Sequence, residues 1–251
     1  MAKIVPLTGC QKELWLSAKA ALSDYAETSI RGCYHIDALL DPDLLRQAIK
    51  RTLHFTPLPA ASLCQDEAEP YFLVGEPQEP DFRVLDAAAQ PDPAAAADRM
   101  IDEFFEEPVE NPLMRYALVI TGEASCIVAM KCSHVVLDGL AFFFHIAVIA
   151  DVYTALARGE TPDLGEPCSC EEAYLEDQAH CASPRFQKDM AFWHEHLSRL
   201  PEKRLLRALP GRPDVLGESR HQKFVLSEKA SRETSALIAA HKVSPAVFFT
   251  G

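Results

Sequence analysis

Cys126-Ile-Val-Ala-Met-Lys-Cys-Ser-His-Val-Val-Leu-Asp-Gly139 is the stretch on which the reading of this chain turns. A run of β-compatible residues starts at Cys126 and stops abruptly at Ser133-His134. The short loop Val135-Val136-Leu137 follows, and Asp138-Gly139 opens a long apolar segment. Strand, tight loop and helix in that order place His134 at a strand's carboxyl end, where α/β proteins keep their chemistry. The same residues also have a plainer reading. Asp138 suits the N-cap of a helix beginning at Gly139, and a single His at a strand end is often a hydrogen-bonded core residue. Spacing alone leaves both readings open.

Working outward, Arg115 to Ile120 pairs with Cys126 to Lys131 as a hairpin around Thr121-Gly122-Glu123. Leu140 to Leu156 reads as a largely buried helix, because the consecutive Phe142, Phe143 and Phe144 point to different sides. His145 beside them reads as a satisfied core or rim residue. Near the start, Thr8 and Gln11 form a capping-box pattern for a helix from Thr8 to about Tyr25. Its apolar face is Leu14, Trp15, Ala18, Leu22 and Tyr25, with Trp15 expected in the core. A strand follows over Thr28 to Ile36, then a helix started by Asp41-Pro42 that buries Leu44, Leu45, Ala48, Ile49 and Leu53. Pro57 and Pro59 forbid its regular continuation.

Tyr71 to Val74 and Phe82 to Leu85 are short strand candidates. Ala87 to Ala97 reads as a surface connection into a helix near Ala94 to Phe105. On the far side of the central stretch, a loop spans Arg158-Gly159 to Glu166-Pro167. Glu171 to Leu200 is helical, breaks near Ser183-Pro184 and packs through Phe192, Trp193 and Leu197. Lys203 to Arg212 reads as a linker, His221 to Leu226 as a strand and Ser227 to Lys242 as a helix, with another starting at Ser244-Pro245.

A chain of 251 residues can bury a sizeable core in one large domain or two lobes. With 24 Lys and Arg against 37 Asp and Glu, the net charge of −13 argues against binding nucleic acid or an anionic membrane. No apolar run is expected to reach the ~18 residues of a membrane span; Leu140 to Ala150, the longest, is interrupted by His145. The N-terminus lacks the apolar core of a signal peptide, which points to the cytoplasm. The eight cysteines are scattered. Cys168-Ser-Cys170 with His180-Cys181 does not have the spacing of zinc pairs, so reduced packing cysteines are expected and no metal.

Ser133-His134-Val-Val-Leu-Asp138-Gly139 resembles the His-His-x-x-x-Asp-Gly signature of the condensation domains of nonribosomal peptide synthetases. The shorter His-x-x-x-Asp-Gly is shared with the chloramphenicol acetyltransferase-like acyltransferases. Three neighbours support the resemblance. Pro6-Leu7-Thr8 with Gln11 and Leu14-Trp15 is similar to the opening of such a domain. Asn111-Pro112-Leu113-Met114-Arg115 is similar to the start of the strand before the signature, and Phe192-Trp193 with Leu197 and Leu200-Pro201 to a helix downstream. Two departures stand out: Ser133 replaces the first His, and the His-x-x-Leu-Arg pattern expected at the end of the second helix is broken at His54 to Pro59 and lacks its Arg.

The resemblance implies an α/β fold, a chloramphenicol acetyltransferase-like lobe with a mixed β-sheet flanked by helices. It implies an N-terminal lobe over 1–200, a crossover over 201–220 and the start of a C-terminal lobe over 221–251, hence about half of a two-lobed domain that is inactive alone. The chemistry implied is amide formation between a donor acyl or peptidyl thioester and an aminoacyl thioester. Both would ride on phosphopantetheine of carrier proteins, so the chain itself would bind no cofactor. Carrier proteins and adjacent synthetase domains are the implied partners. His134 would take the amine proton or orient the amine. Gly139 would leave room for the thioester arm and offer its N–H to the developing oxyanion. Asp138 would hold the loop through a salt bridge or hydrogen bonds, and Ser133 would shape it. The opening motif lies five residues after Met1, which is read as a donor arriving in trans to a chain-initiating domain. The alternatives are a coenzyme A-dependent acyltransferase of the same superfamily and a degenerate docking platform.

Overall fold

The computed structural model describes residues 2–20, 29–66, 69–109, 111–199 and 225–250. Its elements are β1 (Lys3–Pro6), α1 (Gly9–Ala20), β2 (Ser29–Ile36), α2 (Pro42–Phe55), β3 (Ser62–Gln65), β4 (Pro70–Val74), β5 (Asp81–Asp86), α3 (Pro93–Glu106), β6 (Met114–Gly122), β7 (Ser125–Ser133), α4 (Gly139–Ala157), α5 (Cys170–Cys181), α6 (Pro184–Ser198), α7 (Glu228–His241) and α8 (Pro245–Thr250). The chain divides into two units, residues 1–196 and 197–251.

A four-stranded sheet in the order β2-β7-β6-β5 carries the first unit. β7 runs antiparallel to both β2 and β6, whereas β5 and β6 are parallel. A parallel neighbour needs a crossover connection, and α3 supplies it. Because β7 is central, both its faces are buried, which is why it reads as an unbroken apolar run. Cys126, Val128, Met130 and Cys132 join the large core with Leu45, Ile49 and Leu53 of α2 and Phe142, Ile149 and Val152 of α4. Ile127 and Ala129 belong to the smaller clusters with Ala96, Ala97, Ile101 and Phe104 of α3.

The one charge on that buried strand is Lys131, which is 1% exposed. Its Nζ donates to the carbonyls of Phe105 and Glu107, so it closes the C-terminal end of α3. Burial, with Arg31 and Arg115 beside it, lowers its pKa to about 8. Those two arginines flank it in register on β2 and β6. Arg115 is balanced by Glu107 and by Asp81 at 3.4 Å, and Arg83 donates to Glu107 at 2.8 Å. The Arg83 hydrogen bond is the main cause of the lowered pKa of Glu107.

A second sheet, β1-β4-β3, is antiparallel throughout. Neither β1 nor β3 is anticipated by the sequence reading, since each is four residues long and lies beside a proline or within a proline-broken segment. A single 3-10 turn at Leu58–Ala60 absorbs the prolines after α2. α2 starts as expected: Asp41 accepts from the backbone N–H of Asp43 and Leu44, with Pro42 in the first position. Its buried stripe is Leu45, Ala48, Ile49, Thr52 and Leu53, while Leu44 is only half-buried. The helix pair α5 and α6 breaks at Ala182-Ser183. Gly9 N–H donates to Asp177 at 3.2 Å and Cys168 N–H to Phe55 O at 2.9 Å, which ties α5 and the loop before it to α1 and α2.

Four expectations need correction. Ala87 to Ala97 is a surface connection only in part: residues 88–92 are exposed, but α3 begins at Pro93 on the Asp92 cap, and Ala87, Ala96 and Ala97 are core. α4 is not buried all round. Phe142 is 2% exposed, but Leu140, Phe143 and Phe144 are 66%, 64% and 63% exposed. The 19 residues of α4, with mean hydropathy 1.9, are long and apolar enough to cross a membrane by length and composition. One neutral His does not interrupt such a run, and here it lies on the face packed into the core. Phe192 and Trp193 do not form a packing face on α6; both are exposed and touch each other and His196.

In the second unit, Ser227 caps α7 through Ala230 N–H, and Lys242 ends it in the left-handed region at φ 52°. Exposed pairs Arg232–Glu228 and Lys229–Glu233 line one turn. α8 begins at Pro245 as expected. Of the strand expected over His221 to Leu226, residues 221–224 lie outside the described residues, as does the linker over 203–212; Val225 and Leu226 are irregular.

Candidate active site

The signature loop begins where β7 ends, and backbone hydrogen bonds close it tightly. Ser133 N–H donates to Leu113 O at 2.9 Å, which fastens the strand end to the segment before β6. Val136 N–H turns back to Ser133 O at 3.2 Å, and Val135 N–H reaches Ser133 Oγ at 3.4 Å. Ser133 thus contributes its N–H, its carbonyl and its hydroxyl to the loop's hydrogen bonds. Val135 and Val136 point inward and are buried, which anchors the turn in the core.

A third tie comes from the N-terminal helix. The Thr8 and Gln11 capping box forms: Thr8 N–H donates to Gln11 Oε1 at 2.9 Å, and Gln11 N–H to Thr8 Oγ1 at 3.4 Å. The same Gln11 side chain donates through Nε2 to Val135 O at 3.1 Å. Sequence reasoning found the cap and missed this second job, which joins positions 124 residues apart.

His134 is half-buried in the turn. Its Nδ1 is buried with no hydrogen-bond partner. That leaves Nε2 as the ring nitrogen able to meet a second molecule. Asp138 accepts from Ala141 N–H at 2.7 Å and is the N-cap of α4. It is exposed, and among the described residues no cation pairs with it. Of the salt bridge or hydrogen bonds expected of Asp138, the described residues contain the capping hydrogen bond. Gly139 starts α4 with an ordinary φ, and a Cβ added there meets nothing within 4 Å. The protein itself does not require a glycine at 139. A side chain there would begin in open space.

His145 lies beneath this loop and is not part of it. It is buried, with Nε2 2.8 Å from Tyr116 Oη and Nδ1 3.4 Å from Thr56 Oγ1. Burial lowers its pKa to about 4 and raises that of Tyr116 well above the ordinary value. The reading of His145 as a satisfied core residue holds. Trp15 is half-buried against the core and also lines a cleft of about 170 Å³ beside Ser133 and Val135. No group of His, Cys, Asp and Glu among the described residues has metal-site geometry. The cysteine thiols are all free.

A mixed sheet whose central strand ends in His-x-x-x-Asp-Gly, flanked by helices, defines a chloramphenicol acetyltransferase-like α/β lobe. The Condensation domain family profile matches residues 1–249, and the chain belongs to that family. It is 27% identical over 252 residues to surfactin synthase subunit 1 of Bacillus subtilis (strain 168), covering 95% of this chain and 7% of that protein. It is 23% identical over 207 residues to enterobactin synthase component F of Escherichia coli O157:H7, covering 80% of this chain and 16% of that protein. Among solved structures, the starter condensation domain of rhizomide synthetase RzmA, in complex with C8-CoA and Leu-SNAC, superposes with a TM-score of 0.75 at 24% identity. That match covers 82% of this chain and 48% of the other. The first condensation domain of the calcium-dependent antibiotic synthetase, in complex with a substrate analogue, gives 0.71 at 24% identity, covering 80% and 49%. The chain thus spans about half of these solved domains and a small part of the synthetases it matches.

Proposed function

We propose that the domain to which this chain contributes forms an amide bond between a donor acyl or peptidyl thioester and an aminoacyl thioester. Each is carried on the phosphopantetheine of a carrier protein. The observation that carries this reading is His134, with Nδ1 buried and Nε2 without a partner among the described residues, in the turn that leads to a Gly139 whose Cβ position is open space. The α-amine attacks the thioester carbonyl carbon, the C–N bond forms, and the C–S bond breaks. His134 Nε2 accepts a hydrogen bond from the attacking amine, which aims its lone pair and receives its proton; the departing thiolate takes a proton in return. Imidazole suits this because its ordinary pKa lies near the working pH. Gly139 admits the thioester arm and turns its N–H toward the developing oxyanion at the start of α4, where the helix dipole also favours negative charge. Asp138 and Ser133 support the loop and do not touch substrate.

In this reading residues 1–200 form the N-terminal lobe, 201–220 the crossover and 221–251 the start of the C-terminal lobe. The exposed Leu140, Phe143 and Phe144 beside the loop then belong to the face that the second half of the domain covers. Carrier proteins and neighbouring synthetase domains are the partners, in the cytoplasm, and the 251-residue chain alone does not turn over. We further assign it to chain initiation. The test supplies the complete domain with a free acyl thioester and an aminoacyl carrier. Wild type forms amide, and His134→Ala loses at least about a hundredfold, the usual contribution of a general base. Near-normal amide formation by His134→Ala overturns the assignment. Product that appears only with the donor carrier fused upstream overturns initiation alone.

A further inference from the structure

The cleft of about 170 Å³ beside the signature loop has a chemistry that the proposed reaction leaves unused. It lies between α1, β3 and the loop, and its walls include Trp15, Leu63, Leu113 and Val135. Ser133, the residue before His134, forms part of its lining. A dry engineered cavity of about 150 Å³ in another protein holds a benzene ring, so the space here matches one six-membered ring or a branched side chain of that size.

Its rim carries an unusual charge. Lys19 Nζ lies 4.4 Å above the Trp15 ring and donates to Gln65 Oε1, both of which line the cleft. Lys3, Lys12, Lys50 and Lys229 each pair with a carboxylate. Lys19 has only a neutral amide as partner among the described residues, although the chain carries 13 more acidic than basic side chains. Its ammonium is held in place by a weak hydrogen-bond acceptor and an aromatic face, arrangements that leave its charge available.

We propose that this cleft is a side-group subsite for one of the two reacting units, and that it selects a ring-sized apolar body ending in a carboxylate. The ring packs against Trp15, Leu63 and Leu113, and the carboxylate displaces Gln65 from Lys19. The inference rests on the condensation reading for the identity of the bound unit, since Ser133 and Val135, which line the cleft, flank His134 in the chain. Selection of the ligand itself rests on the cleft alone.

The test is binding, not turnover. The chain has two tryptophans, and the exposed Trp193→Phe leaves Trp15 as the only fluorophore of its kind. Benzoate and benzamide are titrated separately into this variant. Benzoate gives a saturable change in Trp15 emission and binds tighter than benzamide by roughly fivefold, the upper range of an exposed ion pair. Lys19→Met removes that preference. Gln65→Glu, which gives Lys19 a carboxylate partner of its own, removes it as well. No saturable change, equal affinity for the two probes, or an unchanged preference in both variants overturns the proposal. Benzoate selectivity in a protein whose complete domain forms no amide refutes the condensation reading and leaves the subsite standing. Amide formation without benzoate selectivity refutes the subsite alone.

Discussion

Acidification tests the separation between the two histidines of the central segment. His145 is 3% exposed and sits between Tyr116 Oη and Thr56 Oγ1. Thr56 Oγ1 donates to Thr52 O at 3.0 Å, so the neutral ring is satisfied with Nδ1–H donating to Thr56 and Tyr116 Oη donating to Nε2. A protonated ring has no carboxylate beside it among the described residues, and burial holds its pKa at about 4 against an ordinary 6.5. The unfolded chain therefore takes up the proton first as pH falls. Above about pH 6.5 this group adds no pH dependence; between 6.5 and about 4 the fold loses stability as the solution becomes more acid. At about 1.36 kcal/mol for each pH unit, that window amounts to roughly 3 kcal/mol, of which roughly 2 kcal/mol falls above pH 5. Urea midpoints of the wild type and of His145→Gln, followed from neutral pH to about pH 5, isolate the effect. Glu79 and Glu107, whose pKa values are lowered by hydrogen bonds to Lys50 and Arg83, lose stabilisation on acidification in both proteins and cancel in the difference. The wild type should fall by roughly 2 kcal/mol more than the variant. Parallel curves would refute the reasoning, as would a His145 ring that titrates near its ordinary value by NMR.

Other substitutions probe how the loop is supported. Gly32→Ala places a Cβ 2.7 Å from Phe142 Cε1, and Phe142 is locked in the core, so thermal denaturation should register a cost of roughly 1–3 kcal/mol. Asp138→Ala removes an exposed cap and should cost about 1 kcal/mol, with Asp138→Asn restoring most of it. A cost several times larger would show that the carboxylate has a charged partner. Gly139→Val places its Cβ in open space, so stability should change by no more than about 0.5 kcal/mol, while amide formation by the complete domain is lost. Full activity in Gly139→Val would show that no thioester passes there.

Much of the architecture was legible because its elements are punctuated. Asp41-Pro42, Thr8 with Gln11, and Ser227 mark helix starts by chemistry that acts within one turn. The central strand was legible because burial on both faces leaves a continuous apolar run. β1 and β3 were not, since four residues beside prolines carry no periodicity and owe their pairing to β4. The full burial expected for α4 failed for a different reason. Three consecutive phenylalanines fix composition, but which of them is covered depends on what packs there, and only Phe142 meets Gly32 and the core. Gln11 to Val135 and the Lys131 cap of α3 were invisible in principle, because they join residues far apart in sequence through side chains that look ordinary.

The two departures from the family pattern acquire a physical account from the same contacts. The Arg expected after α2 is absent, and Asp138 is an exposed helix cap with no charged partner among the described residues. Without a first His, Ser133 offers the loop only a short hydroxyl. A loop that depended on those two side chains would be poorly held. Here it is fixed mainly by main-chain groups: Ser133 N–H to Leu113 O, Val136 N–H to Ser133 O, and Val135 O receiving Gln11. Two buried valines add packing that no substitution at 133 or 138 removes. Main-chain anchoring is indifferent to the identity of the residue at 133, so a serine there leaves the direction of His134 to the turn itself. The direction of the His134 ring therefore rests on β7, α1 and the Leu113 segment together.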